Sequence, residues 1–220
     1  MIRLFDFVLS GIALLFLSPL LLLVMLALRS SGEGEVFYRQ QRVGRDGKMF
    51  GLLKFATMLK ASPNMGTGVL TVKNDPRVLP VGRILRKTKI NELPQLVNIF
   101  LGDMSVIGRR PLAKKHFDIL SPATRSLLVN AKPGLSGIGS IVFRDEENIL
   151  DHAREKESFY RDTIIPYKGE IELWYLQREN IGLYFTLIFL TLWVVLFPSS
   201  SLHRRLFRDL PRPPHTLVGI

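Results

Sequence analysis

Residues Phe7 to Leu28 read FVLSGIALLFLSPLLLLVMLAL, 22 residues without a charge, bracketed by Asp6 and Arg29. A helix rises 1.5 Å per residue, so this run is long enough to enter the roughly 30 Å hydrocarbon core of a bilayer. A cleaved signal peptide is the alternative reading. Against it, Asp6 weakens the positive start, the apolar run exceeds the usual stretch of about 7–15 residues, and no small-x-small cleavage site precedes Arg29. Ser18-Pro19 lies mid-run. Proline removes a backbone donor and crowds the preceding turn, so a kink or break is expected there. A broken helix either crosses at an angle or dips into one leaflet and returns, and the residues alone leave both open.

The rest of the chain supports a membrane-linked reading. Of 220 residues 47% are hydrophobic and 22% charged, so the apolar residues must be concentrated in segments. Lysine and arginine outnumber acids 30 to 19, giving a net charge of +11. That balance favours anionic partners: nucleic acid, lipid headgroups or phosphorylated substrates. No recognition helix, zinc module or aromatic-and-basic stacking pattern is legible, so nucleic acid is not expected as a partner. Cysteine is absent, which excludes disulfides and thiolate metal sites and fits a reducing cytoplasm. His116, His152, His203 and His215 are scattered without ligand spacing.

After the apolar run, strands are predicted at Val36–Arg39 and Met49–Met58, joined through a tight turn at Gly44–Gly47 into a β-hairpin, with a loop at 61–68. A helix is predicted from Val81 to Lys87. Another should start with Asn91 as its N-cap, continue through Leu93, Leu96, Val97 and Phe100, and end at Gly102. Pro111 to Val129 reads as helical with an interruption at Pro122. A turn at Lys132-Pro133-Gly134, a strand at Ile138–Phe143 and a charged helix at Asp151–Arg161 follow. Ile181–Phe197 is a second apolar segment, short for a spanning helix and equally readable as one lying in the interface. Trp174, Tyr175 and Trp193 suit anchoring at the membrane surface. Beyond Pro198 a basic, proline-rich tail carries Arg204, Arg205, Arg208 and Arg212, expected to be disordered or to rest on anionic lipid. The organisation expected is therefore a membrane-embedded helix at 1–30 broken at Ser18-Pro19, a domain at 31–178 (which the resemblance below implies to be cytoplasmic), an apolar helix at 179–198 and a tail at 199–220.

Arg83 to Pro111 holds the densest polar grouping: Arg83, Arg86, Lys87 and Lys89, then Asn91-Glu92, Asp103 and Arg109-Arg110. Basic residues around a helix start suit a phosphate, and Glu92 suits a base or a ligand to a hard cation. A capped, solvated surface helix accounts for the same residues. Lys54 reads as a phosphate contact or a surface strand residue. Asp103 reads as a cap of the Gly102 turn or a site residue. Asp145-Glu146-Glu147 reads as an exposed acidic turn or a pocket lining.

The run Lys87-Thr88-Lys89-Ile90-Asn91-Glu92-Leu93-Pro94-Gln95-Leu96, followed by Gly102-Asp103-Met104-Ser105-Val106-Ile107-Gly108-Arg109-Arg110-Pro111-Leu112, closely resembles the signature of the bacterial sugar transferases, the monotopic phosphoglycosyl transferases. Arg3-Leu4-Phe5-Asp6, Ser18-Pro19, Tyr38-Arg39-Gln40, Arg42-Val43-Gly44, Lys54-Phe55, Thr57-Met58, Asp75-Pro76-Arg77 and Lys132-Pro133-Gly134-Leu135-Ser136-Gly137 fall in the same order. The resemblance covers residues 1 to about 145 and implies an α+β fold. In it, a re-entrant helix-break-helix precedes a small, mainly helical catalytic domain with a short hairpin, on the cytoplasmic face of the bacterial inner membrane. It implies a phosphosugar moved from a UDP-sugar to polyprenyl phosphate with Mg²⁺, at the first membrane step of polysaccharide or glycoconjugate assembly. Self-association or a downstream glycosyltransferase would then be the protein contacts. An Asp-Glu pair does the chemistry in such enzymes. Glu92 matches the Glu and is the expected metal ligand, Arg110 matches a phosphate-contacting arginine, and Arg86 matches a basic residue near the pair. Asn91 stands where the family has its nucleophilic Asp, Ala56 where it commonly has Arg, and Arg109 where it commonly has Pro. An amide is a poor nucleophile toward phosphorus, so an altered transfer and a non-catalytic membrane scaffold are both implied as alternatives.

Overall fold

In the computed structural model, which describes residues 1–65, 75–151 and 153–217, the apolar run folds as one helix, α1 (Ile2–Arg29). Positions 66–68 of the predicted loop and His152 lie outside the described residues, as do the side chains of Pro63 and Glu147. There follow β1 (Phe37–Val43), β2 (Met49–Phe55), α2 (Pro80–Lys87), α3 (Gln95–Leu101), β3 (Ser105–Ile107), α4 (Lys114–Phe117), α5 (Pro122–Leu128) and β4 (Gly134–Ser136). The chain ends with α6 (Ile138–Val142), α7 (Glu146–Asp151), α8 (Lys156–Phe159), α9 (Ile165–Arg178), α10 (Ile181–Leu196) and α11 (Leu202–Leu206). The mixed helix-and-strand expectation holds. The chain divides into two units: Arg3–Gln41 with Gly51–Gly102, and Arg42–Phe50 with the chain from Asp103 onward.

The first unit is organised by α1. Helical structure continues past Ser18-Pro19, with Pro19 inside it, so the kink or break expected there does not end the helix. Proline cannot donate to the Leu15 carbonyl four residues back, and the Ser18 hydroxyl supplies that bond instead, at 2.7 Å. Both ends of α1 are anchored. Near its start the Arg3 guanidinium donates to the carbonyls of Ile99 (2.5 Å) and Phe100 (2.7 Å), the negative end of α3. Phe7 stacks on Phe100 at 4.5 Å. Near its end Val24 and Leu28 are buried in a cluster with Phe55 and Leu85. Between residues 11 and 23 no side chain is buried.

Short devices fix the remainder of this unit. Asn98 on α3 clamps the β2 backbone, accepting from Leu53 N–H (2.9 Å) and donating to Gly51 C=O (3.0 Å). Asp75 and Arg77, both buried, pair at 2.6 Å, and Arg77 also donates to the carbonyls of Ser62 and Met65. Gly82 lets α2 close on the 57–58 segment, since a Cβ there would collide with the Thr57 carbonyl. Backbone in that position cannot swing aside. Gly82→Ala is therefore expected to destabilise the protein by about 1–3 kcal/mol, read as a lower thermal midpoint in detergent.

Asn91 does not cap a helix. It lies in a single 3₁₀ turn, Ile90–Glu92, that follows Lys89 in the left-handed region (φ 61°), and α3 begins only after Pro94. Pro94, lacking an N–H, suits a helix start, so the helix is displaced by one turn from the expected N-cap. The predicted end at Gly102 (φ 102°) holds.

The second unit is built on a parallel two-stranded sheet of β3 and β4, with Ser105 opposite Gly134 and Ile107 opposite Ser136. The strand expected at 138–143 is helix α6, and the strand lies just before it. A five-residue apolar run suits either state, and here Gly137 and buried Ile138, Gly139 and Ile141 turn inward as a helix. Pro122 interrupts the 111–129 segment as the first residue of α5, with Ser121 capping Thr124 N–H. The predicted charged helix at 151–161 is replaced by α7, α8 and a π-helical stretch at Tyr160–Ile164 leading into α9. Trp174 and Tyr175 are buried on α9 rather than set out as anchors. The tail is ordered through residue 217: Tyr167 O–H donates to the Pro211 carbonyl (2.8 Å), Trp174 Nε1–H donates to Asp209 (3.1 Å), and Leu217 is buried. Aromatic partners on α9 hold a segment whose composition alone suggested disorder.

Candidate functional site

The first unit carries Lys54, Arg86, Asn91 and Glu92. Glu92 sits at the end of the 3₁₀ turn, with its Oε1 accepting from Lys54 Nζ of β2 at 3.1 Å. Both side chains are partly exposed, 21% for Lys54 and 28% for Glu92, so the pair is neither sealed nor fully solvated. α2, carrying Arg86, packs on the same turn, and Arg86 Nη1 approaches Met58 Sδ at 4.0 Å. Asn91 is 6% exposed, and its Oδ1 is buried with no hydrogen-bond donor. An orphaned amide oxygen costs about 1–3 kcal/mol, a cost borne here beside an ionised pair. A carboxylate and an amide oxygen are hard donors of the kind that hold Mg²⁺ together with substrate phosphates, so these residues fit that ion. Among the described residues no cluster of three or more His, Cys, Asp and Glu side chains forms a metal cage.

The second unit carries Asp103, Arg109 and Arg110. Asp103 is exposed, just after the Gly102 turn. Arg109 is not placed to bind phosphate. It is 1% exposed, with Nε donating to the carbonyls of Leu128 (2.8 Å) and Ala131 (3.1 Å) and Nη2 to those of Val43 (3.1 Å) and Gly44 (2.9 Å). Arg109 makes an isolated bridge to Pro133 just past β3, and of the two adjacent arginines it is the one taken inward as a structural staple. Arg110 is half-buried, reaches Ser140 Oγ at 3.5 Å, and gives its backbone N–H to Glu172 Oε1 at 3.0 Å.

A buried ionic group around Arg110 escaped the sequence reading. Lys168 (2% exposed) pairs with Glu146 at 2.6 Å, over the rings of Phe143 (4.9 Å) and Tyr160 (5.2 Å). Glu146 is thus an interior partner, not part of an exposed acidic turn. Burial pulls the Lys168 ammonium down to about 8, whereas Lys168 and Arg110 hold Glu146 below the usual carboxylate range. Burial pushes Glu172 up to about 7. His116, edge-on to Tyr160 at 4.8 Å, is pulled down to about 4 by burial and by neighbouring cations. The available signal was Lys168 and Glu172 one helical turn apart among apolar residues of α9.

The model of the family described as bacterial sugar transferase matches residues 1–198. The chain belongs to that family. This sugar transferase is 33% identical over 186 residues to the exopolysaccharide production protein ExoY of Rhizobium meliloti, covering 76% of its own length and 82% of that relative. It is 38% identical over 181 residues to the UDP-glucose:undecaprenyl-phosphate glucose-1-phosphate transferase of Caulobacter vibrioides, covering 80% of this chain and 64% of that one. It is 35% identical over 158 residues to the undecaprenyl-phosphate galactose phosphotransferase of Salmonella typhimurium, covering 66% of this chain and 33% of that protein. The sugar transferase thus spans most of the first relative and only part of the other two.

Proposed function

We propose that the chain is a phosphoglycosyl transferase that moves a phosphosugar from a UDP-sugar to polyprenyl phosphate at the cytoplasmic face of the bacterial inner membrane. The observation that carries the reading is the Lys54–Glu92 pair beside the orphaned Asn91 amide, inside the family-matched segment. In the net reaction an oxygen of the polyprenyl phosphate bonds to the β-phosphorus of the UDP-sugar. The bond from that phosphorus to the oxygen bridging to the α-phosphate breaks, and UMP leaves with the oxygen. Such transfers depend on alignment and charge neutralisation more than on covalent help. Lys54 and Arg86 would hold phosphate oxygens in the first unit, and Arg110, taken by itself from its place in the family motif, would be a phosphate contact of the second. Glu92 and Asn91 Oδ1 would hold Mg²⁺, which when bound supplies positive charge to the phosphate oxygens.

The membrane arrangement proposed is re-entrant. A straight helix of 28 residues would be about 40 Å long, more than the roughly 30 Å hydrocarbon core, and would leave its ends on opposite faces. Both ends of α1 instead dock on one unit, which supports entry and exit through a single face. Single cysteines at Leu4 and Ser30, in a chain with no native cysteine, are expected to react with an impermeant thiol reagent from the same side. Labelling from opposite sides would favour a spanning helix. α10 buries Tyr184, Leu187, Leu190 and Val194 and exposes Phe185, Phe189, Leu192 and Leu196, which supports an interfacial placement.

Purified protein in nanodiscs with Mg²⁺, polyprenyl phosphate and a panel of UDP-sugars should release UMP, and silence beside an active relative would overturn the reading. Asn91 favours a second reading, a scaffold for another transferase. Asn91→Asp separates the routes. If the wild type transfers directly, the variant loses roughly tenfold or more in UMP release. A gain in rate with a phosphosugar adduct on residue 91 would instead show that the wild type lacks a covalent route its fold still permits.

A further inference from the structure

The hydrogen-bond ladder of the second unit ends at Arg109, and what takes over there is unusual. Gly108 N–H donates to Ser136 (3.0 Å) and Gly134 N–H to Arg109 (2.9 Å). The next amide, that of Arg110, bonds not to the sheet but to the Glu172 carboxylate on α9. Glu172 is 5% exposed, and ionisable groups are rarely kept at such depth without a purpose for their charge. Room for it is made by Gly139, since a Cβ there would collide with Glu172 Oε1. Its Oε2 is buried and makes no hydrogen bond. The charged groups facing it are Arg109, Arg110 and Lys168, with Glu146 beyond Lys168 and Tyr160 and His116 behind that pair.

We propose that Glu172 is a positioning residue for Arg110, fixing the main chain at that arginine and setting the positive charge a phosphate meets there. The inference rests on the reading of Arg110 as a phosphate contact. A carboxylate held on an amide one bond from the Arg110 Cα fixes where the guanidinium starts, and small misplacements of such a fork are costly in phosphoryl transfer. Because burial places its titration near neutrality, at about 7, Glu172 also responds to charge arriving beside it. A bound phosphate favours its neutral form. Rising pH ionises it, lowers the potential at Arg110 and weakens anion binding.

The test compares Glu172→Gln, Glu172→Ala and Gly139→Ala, with and without Arg110→Ala, in nanodiscs with a UDP-sugar and polyprenyl phosphate. Glu172→Ala should lower kcat/KM for UMP release about 10–100-fold alone and less than about twofold in the Arg110→Ala background. Gly139→Ala, which displaces the carboxylate without changing charge, should follow it. In the wild type KM for the UDP-sugar should climb with pH across neutrality. In Glu172→Gln, which keeps the shape, that climb should vanish with little change in kcat. A readout independent of turnover is the Arg110 amide proton resonance, which should titrate near pH 7 in the wild type and stay still in Glu172→Gln. Losses that multiply in the double variant, an unchanged pH profile of KM, or an Arg110 amide that ignores pH would each overturn the role. A wild type that releases no UMP while the amide titrates would uphold the contact and overturn the transferase reading instead.

Discussion

Replacing Glu92 by Gln is expected to lower kcat/KM for UMP release by about 10²–10³-fold while leaving the fold intact. The amide keeps the size of the carboxylate and can still accept from Lys54 Nζ, now 3.1 Å from Glu92 Oε1. What disappears is the negative charge that offsets the Lys54 ammonium and suits a divalent ion. The pair is partly withdrawn from water, so each charge counts for more there than on an open surface. UMP release at saturating lipid, with the thermal midpoint as a control on folding, checks the expectation. A scaffold would tolerate this change, and a cell carrying it would make its polysaccharide normally. Activity within tenfold of the wild type would remove Glu92 from the centre of the reaction.

The second large effect falls on stability. Arg109→Leu is expected to cost about 3–5 kcal/mol, because removing one partner of a buried polar network leaves the others stranded. Those others are the carbonyls of Val43, Gly44, Leu128 and Ala131, which tie the turn of the hairpin to the end of α5. Burial already pulls this guanidinium down to about 10, a sign of how little solvent reaches it. Lysine should rescue poorly, since a single ammonium cannot fork to two pairs of carbonyls at once. Arg110→Ala, one residue along, should instead cut activity and leave the thermal midpoint nearly unchanged. A stable Arg109→Leu protein that no longer releases UMP would return Arg109 to the substrate.

These two arginines also mark how far the sequence could be read. Side by side and chemically identical, they are separated only by which way the backbone faces past the end of β3, where Arg109 bridges Pro133 just before β4, a strand expected instead at 138–143. The uncharged stretch at 7–28, Gly102 and Pro122 were legible because each acts locally, through solvent transfer, a left-handed turn or a fixed φ. Asn91 suits a cap by residue type, but Pro94 three residues on decides where the helix starts. Lys168 and Glu172 were passed over for the opposite reason. Charges on a helix usually face water, and only the arrival of Glu146, Gly139 and Arg110 from distant parts of the chain makes these two interior. On the site, the sequence order of motifs found Lys54 and Glu92, and their contact is a property of the folded hairpin meeting the 3₁₀ turn.

Because α1 is held at its beginning by the α3 carbonyls and at its end by the Phe55–Leu85 cluster, it behaves less like a tether than like a keel. A tether of adjustable length would let this unit drift over a lipid surface, whereas a keel fixed at both ends would set its draught. In the proposed re-entrant arrangement the Lys54–Glu92 pair, in the same unit, would ride at a constant depth, and a carrier phosphate confined to the plane of the headgroups would have one coordinate fewer to search before it arrives.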